Sequence, residues 1–140
     1  MSTPSSDWLA RHIVDEAPDA IIFADRENVI RLWNLGAERI FGYAAAEALG
    51  QSLNLIIPER WRTRHWEAYR QVMRTGVTRY GQGELPAVPA RRKDGRRISI
   101  EFSLLLPRGS AGEIVGAVAI VRDVTERWER ERMLRESVKK

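Results

Sequence analysis

An α+β fold built on an antiparallel sheet is what this chain predicts, and three features carry the prediction. Short runs rich in branched and aromatic residues sit near both ends, at residues 20–24 and 29–33 and again at 88–92, 97–104 and 114–121. Between the two groups lies a block with helical spacing, punctuated by Gly42, Gly50, Pro58 and Gly76. The turns that join neighbouring runs are short, so sequential strands pair antiparallel on one side of an inserted helical layer.

The elements follow in order. Ser5, Ser6 or Asp7 can cap a short helix whose apolar pairs, Trp8-Leu9 and Ile13-Val14, give it one face to bury. His12 lies beside that face and is expected to be exposed, and Pro18 ends the element. The runs at 20–24 and 29–33 read as strands, and Asp25-Arg26-Glu27-Asn28 between them has the chemistry of a tight hairpin turn. Asn34 can cap the helix LGAERIFGY, which Gly42 closes. A second short helix, AAAEAL, stops at Gly50. Leu53, Leu55, Ile56 and Ile57 then form an apolar turn leading onward.

The next stretch, from Pro58 to Gly76, organises the chain. Pro58 suits a first helical turn because its fixed φ fits there and its missing N–H is not needed. Gly76 suits the position just past the helix end, where a left-handed backbone costs little. Helical spacing puts Trp61, His65, Ala68, Tyr69 and Val72 on one face, with Met73 and Trp66 at its edge and Arg62 as the one intruding charge. His65 thus sits mid-face among apolar and aromatic neighbours. Two readings follow: a satisfied core histidine, or an axial ligand to heme iron, which needs a neutral imidazole in a dry pocket.

After Gly76 the texture returns to strands. Residues 77–81 begin one, and GQGELPAVPA interrupts regular pairing with glycine and proline until residue 88. Lys93-Asp94-Gly95 is a hairpin turn. Residues 97–104 alternate polar and apolar, as a half-buried strand does. Residues 107–112 turn, residues 114–121 return as a last strand, and Asp123-Val124-Thr125 opens a charged helix. Its apolar positions Val124, Trp128, Met133, Leu134 and Val138 make an imperfect stripe, suited to a dimer seam or a signalling linker.

Composition narrows the function. The 140 residues are 44% hydrophobic and 30% charged, the balance of one globular domain. There is no cysteine, which excludes disulfides, thiolate metal sites, cysteine nucleophiles and cysteine-linked chromophores. The two histidines, His12 and His65, lie too far apart to form a local metal site. No Gly-rich phosphate loop, H-E-x-x-H or G-x-S-x-G motif is present, so no enzyme activity is expected. The net charge of +4 invites nucleic acid, but in ERWERERMLRE the signs alternate as on a solvated helix, which argues against it. No apolar run is long enough to span a membrane and MSTPSSDW is unlike a secretory signal, so a cytoplasmic location with no membrane contact is expected.

Several stretches resemble the PAS domain: APDAIIFAD with the following RLWN, then ERIFGY, LIIPER, RRKDGRRISIEFSL and GAVAIVRDVTER. The resemblance implies a PAS fold, a five-stranded antiparallel sheet with helices covering one face and terminal helices flanking it. It divides the chain into an N-terminal amphipathic helix over 1–17, a PAS core over 18–122 and a signalling helix over 123–140. The helix IPERWRTRHWEAYRQVMRTG is similar to that of heme PAS domains in the oxygen-sensing histidine kinases of nitrogen-fixing bacteria.

That resemblance implies heme b held by His65, with Trp61 and Tyr69 beside it on the helix. It puts Tyr80, Phe102 and Leu104 where the family faces the bound diatomic gas, and Arg79 near a heme carboxylate. Tyr80 is the only hydroxyl on the gas-facing side, so it is the candidate hydrogen-bond donor to bound oxygen. Where the family carries a second propionate-pairing arginine this chain has Gln71, and Glu84-Leu85-Pro86 stands in the region of the family's distal arginine. The sensed variable would be oxygen, CO, NO or redox state. A homodimer through the terminal helices would pass the signal to an output partner. The alternative is a cofactor-free dimerisation and signal-transfer module in which His65 is core.

Overall fold

The computed structural model describes residues 3–78 and 87–138. Strands β1 (Ala20–Asp25), β2 (Ile30–Trp33), β3 (Val88–Arg91), β4 (Arg97–Leu105) and β5 (Gly116–Asp123) form one sheet in the order β2-β1-β5-β4-β3. Every neighbouring pair is antiparallel. The first and last strands of the chain's two groups thus meet in the middle, where β1 pairs β5 from Ala20↔Val121 to Asp25↔Gly116.

Local chemistry sets the β1–β2 hairpin. Asp25 Oδ1 accepts from the backbone N–H of Glu27 at 2.9 Å and of Val29 at 3.1 Å, and Asn28 takes the left-handed backbone at φ 67°. Arg31 Nε donates to Asp25 Oδ2 at 2.9 Å. Burial would raise the Asp25 pKa, but the Arg31 guanidinium and these two N–H groups outweigh it and hold the carboxyl below its ordinary value.

One face of the sheet is covered. Alternation points Ala20, Ile22 and Ala24 of β1 inward, opposite Val121, Ala119 and Ala117 of β5, with Ile98, Ile100, Phe102 and Leu104 of β4 alongside. Helices α2 (Leu35–Phe41) and α3 (Ala45–Ala48), a 3-10 turn at Leu53–Ile56 and α4 (Arg62–Thr75) pass over this face. Helix α1 (Ser6–Glu16) precedes the sheet and α5 (Thr125–Val138) leaves it.

Asn34 joins three of these pieces. Its Oδ1 accepts from Ala37 N at 2.9 Å, capping α2, and from Ile21 N of β1 at 2.8 Å. Its Nδ2 donates to Val14 O of α1 at 2.8 Å and to Asp19 O at 3.1 Å. Gly36 follows for a steric reason, since a methyl there would fall inside the Asp19 carbonyl. Gly42 and Gly76 close α2 and α4 at φ 83° and 72°, the left-handed ends that the sequence predicts.

The core is divided. One cluster lies under α2, with Ile22, Ile30, Trp33, Phe41, Ile98 and Ile100 at its centre. A second lies under α4, where Tyr69 and Met73 pack on Ala24, Ile114 and Ala117. Leu53 touches both.

Four expectations are corrected. The long helix does not run unbroken from Pro58: a 3-10 turn at Glu59–Trp61 comes first, because Pro58 is extended at ψ 141° and Arg62 Nε turns back to Ile57 O at 3.0 Å. Residues 77–78 are not strand, and residues 79–81 of that expected strand lie outside the described ones. The last strand starts at Gly116 rather than 114, since Ile114 is drawn into a bridge with Arg108 and into the core under α4. Finally, α1 buries none of its residues: Trp8 and Ile13 are 51% and 58% exposed. His12 is exposed as expected, stacked on Trp8 and ion-paired with Glu16.

Candidate functional site

The site is built on the inward side of α4. Tyr69 and Met73 are its deepest residues, Trp61, His65, Trp66 and Val72 are half-buried, and Ala68 is exposed. The helix is therefore rolled from the expected orientation, with Tyr69 at mid-face and His65 on the flank. The cause is on the sheet below. Ala24 and Ala117 leave a shallow floor, so the Tyr69 hydroxyl reaches the backbone and donates to Ala24 O at 2.9 Å and Asp25 O at 2.6 Å. Burial first, and the Asp25 charge second, push the Tyr69 pKa up, so the hydroxyl stays a donor.

His65 is the opposite case. Its ring lies 6.0 Å from that of Tyr69, tilted by 30°. Its Nδ1 is buried with no hydrogen-bond partner among the described residues, and burial pulls its pKa below the ordinary 6.5. The imidazole is consequently neutral at pH 7 and keeps a lone pair for a ligand. One turn earlier, Trp61 Nε1 is also buried and without a partner among the described residues, with the guanidiniums of Arg64 and Arg60 at 5.0 Å and 5.8 Å from the indole ring.

Phe102 and Leu104 extend from β4 on the same inward side, both half-buried, beside the alanines of β5. The structure thus places His65 and Tyr69 on α4, Trp61 at its N-cap, and Phe102 and Leu104 on the sheet face that α4 covers. Arg79 and Tyr80 lie outside the described residues. Sequence reasoning missed Leu106, which joins the cluster under α4, and the alanine floor at 20, 24, 117 and 119. Both were readable by continuing the two-residue alternation along β4, β1 and β5.

The buried, neutral nitrogen of His65 has the chemistry of an axial ligand to heme iron. Among the described residues no group of three His, Cys, Asp or Glu side chains could hold a bare metal ion. A single neutral histidine suffices when a porphyrin brings the other nitrogens. An open polar groove of about 340 Å³ runs along another flank of α4, lined by Asn28, Ser52, Asn54, Arg62 and Trp66, and does not include His65.

Comparisons with known proteins agree with the fold. A family model described as the PAS fold matches residues 14–129. The sensor protein FixL of Bradyrhizobium diazoefficiens is 33% identical over 127 residues, 90% of this chain and 24% of FixL. The oxygen sensor protein DosP of Escherichia coli K12 is 29% identical over 106 residues, 76% of this chain and 13% of DosP. The chain therefore spans a quarter or less of these relatives. An RNA-binding light-oxygen-voltage receptor superposes with a TM-score of 0.78 at 26% identity, covering 100% of this chain and 41% of that one. The sheet order, the helical cover and the family match together make this chain a member of the PAS fold family.

Proposed function

We propose that this PAS domain binds heme b through His65 and senses a diatomic gas (oxygen, CO or NO) or the redox state of the iron. The observation that carries the reading is the neutral imidazole of His65 on the helix that covers the sheet, its Nδ1 buried and without a partner among the described residues. The similarity to FixL and DosP supports it. Heme supplies, when bound, an iron centre with one face open to a small gas.

This chain's own residues bind, orient and exclude water. His65 offers its nitrogen, with the ring of Tyr69 6.0 Å from the imidazole and Trp61 one turn before it; Phe102 and Leu104 give an apolar surface on β4. Tyr80 and Arg79 keep the roles the resemblance implies, hydrogen-bond donor to bound oxygen and partner to a heme carboxylate. The domain itself is read as non-catalytic, with its signal leaving through α5 to an output partner and to a second copy of the chain.

A cofactor-free contact module is the second reading, favoured by the exposure of Trp8, Leu9 and Ile13 along one side of α1. Visible spectra of the chain purified with heme supplied separate the two. A Soret band in the wild type that is lost or shifted in His65→Ala supports ligation. Colourless wild-type protein, or a band indifferent to the substitution, overturns it.

A further inference from the structure

We infer that Trp61 and Arg64 form the docking point for a carboxylate of the pocket's ligand, which on the reading above is a heme propionate. The indole Nε1 is buried and has no hydrogen-bond partner among the described residues. An indole N–H can only donate, so leaving it buried and unmade costs free energy that a ligand acceptor would recover. What kind of acceptor follows from the surroundings. The Arg64 guanidinium lies 5.0 Å and the Arg60 guanidinium 5.8 Å from the same ring, so the potential there is positive. An anionic acceptor is favoured over a neutral one, because a charge-assisted hydrogen bond is the stronger kind. Trp61 is the N-cap of α4, four residues and about one turn before His65. A ligand held at His65 therefore has its edge within reach of this donor. Trp61 is a positioning residue here: it orients the ligand and takes no part in gas chemistry.

The test compares heme with its dimethyl ester, whose carboxylates are blocked, in the full chain. Affinity is read from the rate of heme transfer to an apoglobin scavenger, and folding from thermal melts. Trp61→Phe keeps an aromatic ring and removes the N–H. It should weaken heme binding about tenfold to a hundredfold. It should leave binding of the dimethyl ester within about twofold of wild type, with the Soret position unchanged. Arg64→Gln, at an exposed position, should cause a smaller loss with the same dependence on free carboxylates. Equal affinity of wild type and Trp61→Phe for heme overturns the inference. So does an equal loss for heme and ester, which would mark Trp61 as packing alone. A wild type without any Soret band instead overturns the heme reading, and this inference with it. Should Trp61→Phe melt before it can be measured, Arg64→Gln decides: no difference between its losses for heme and ester is the overturning result.

Discussion

His65 and Tyr69 stand one turn apart on α4 with their rings 6.0 Å apart, yet their polar atoms have opposite circumstances. The Tyr69 hydroxyl is shared between two carbonyls of β1, whereas His65 Nδ1 meets no partner among the described residues. Tyr69 thus anchors the helix to the sheet. Tyr69→Phe should accordingly lower unfolding free energy by about 1–2 kcal/mol, seen as an earlier urea midpoint at unchanged slope. The Soret band of heme-loaded protein should keep its position, because the ring remains.

The lowered pKa of His65 makes stability depend on pH. Burial disfavours the charged imidazole in the folded chain, so below the ordinary value of 6.5 the unfolded chain binds the extra proton first. Stability is then lost as pH falls from about 6.5 towards the lowered folded pKa, and nothing is lost above it. Melting temperatures of heme-free protein between pH 7.5 and 5 should fall more steeply in the wild type than in His65→Leu. Parallel curves would contradict the burial of the ring.

Gly36→Ala should be among the most damaging small substitutions, costing about 3 kcal/mol. Its methyl would have to displace the backbone carbonyl of Asp19, which Asn34 also holds. Gly50→Ala meets no atom within 4 Å at φ 88° and should cost only about 1 kcal/mol, the strain of a left-handed backbone. Chemical denaturation of both variants checks the order.

Asn34→Asp keeps the two acceptor bonds to Ala37 and Ile21 and deletes the donor bonds to Val14 and Asp19. It should destabilise the chain by about 2 kcal/mol or more, since a carboxylate would face two carbonyl oxygens. Hydrogen exchange should show the loss at the end of α1 as well as in α2.

Association through the terminal helices predicts that Ile13→Glu in α1 and Leu134→Glu in α5 turn a sedimenting dimer into monomer. Both side chains are about three-fifths exposed, at 58% and 63%, so the fold should tolerate the change. Unchanged sedimentation of both variants would exclude these faces.

Much of this architecture was legible because its signals are local. Asn34, Gly42 and Gly76 announce helix ends by chemistry that acts within a few residues, and the alternation along residues 97–104 names the buried face directly. The apolar setting of the α4 face was legible too, but its roll, which puts Tyr69 at mid-face and half-buried His65 on the flank, was not. Ala68 and Met73 are both apolar, and only the contact between the Tyr69 hydroxyl and the β1 backbone decides which one faces the sheet. Ile114 misled for a similar reason, being branched like a strand residue while serving the cluster under α4. The face of α1 read as buried because an apolar pair carries no information about what will cover it.

The start of α5 is fastened to the strand that carries Phe102 and Leu104. Val124 N donates to Ser99 O at 2.9 Å, Ser99 N donates to Thr125 Oγ1 at 2.9 Å, and Arg127 pairs with Glu101. Counted from Thr125 in that clamp, the helix makes a rod of 14 residues, about 21 Å long. Geometry alone then gives a lever arm: a tilt of about 5° at Ser99 sweeps the far end through about 2 Å. A displacement too small to unseat a side chain inside the domain would thus arrive at the tip as a change of register.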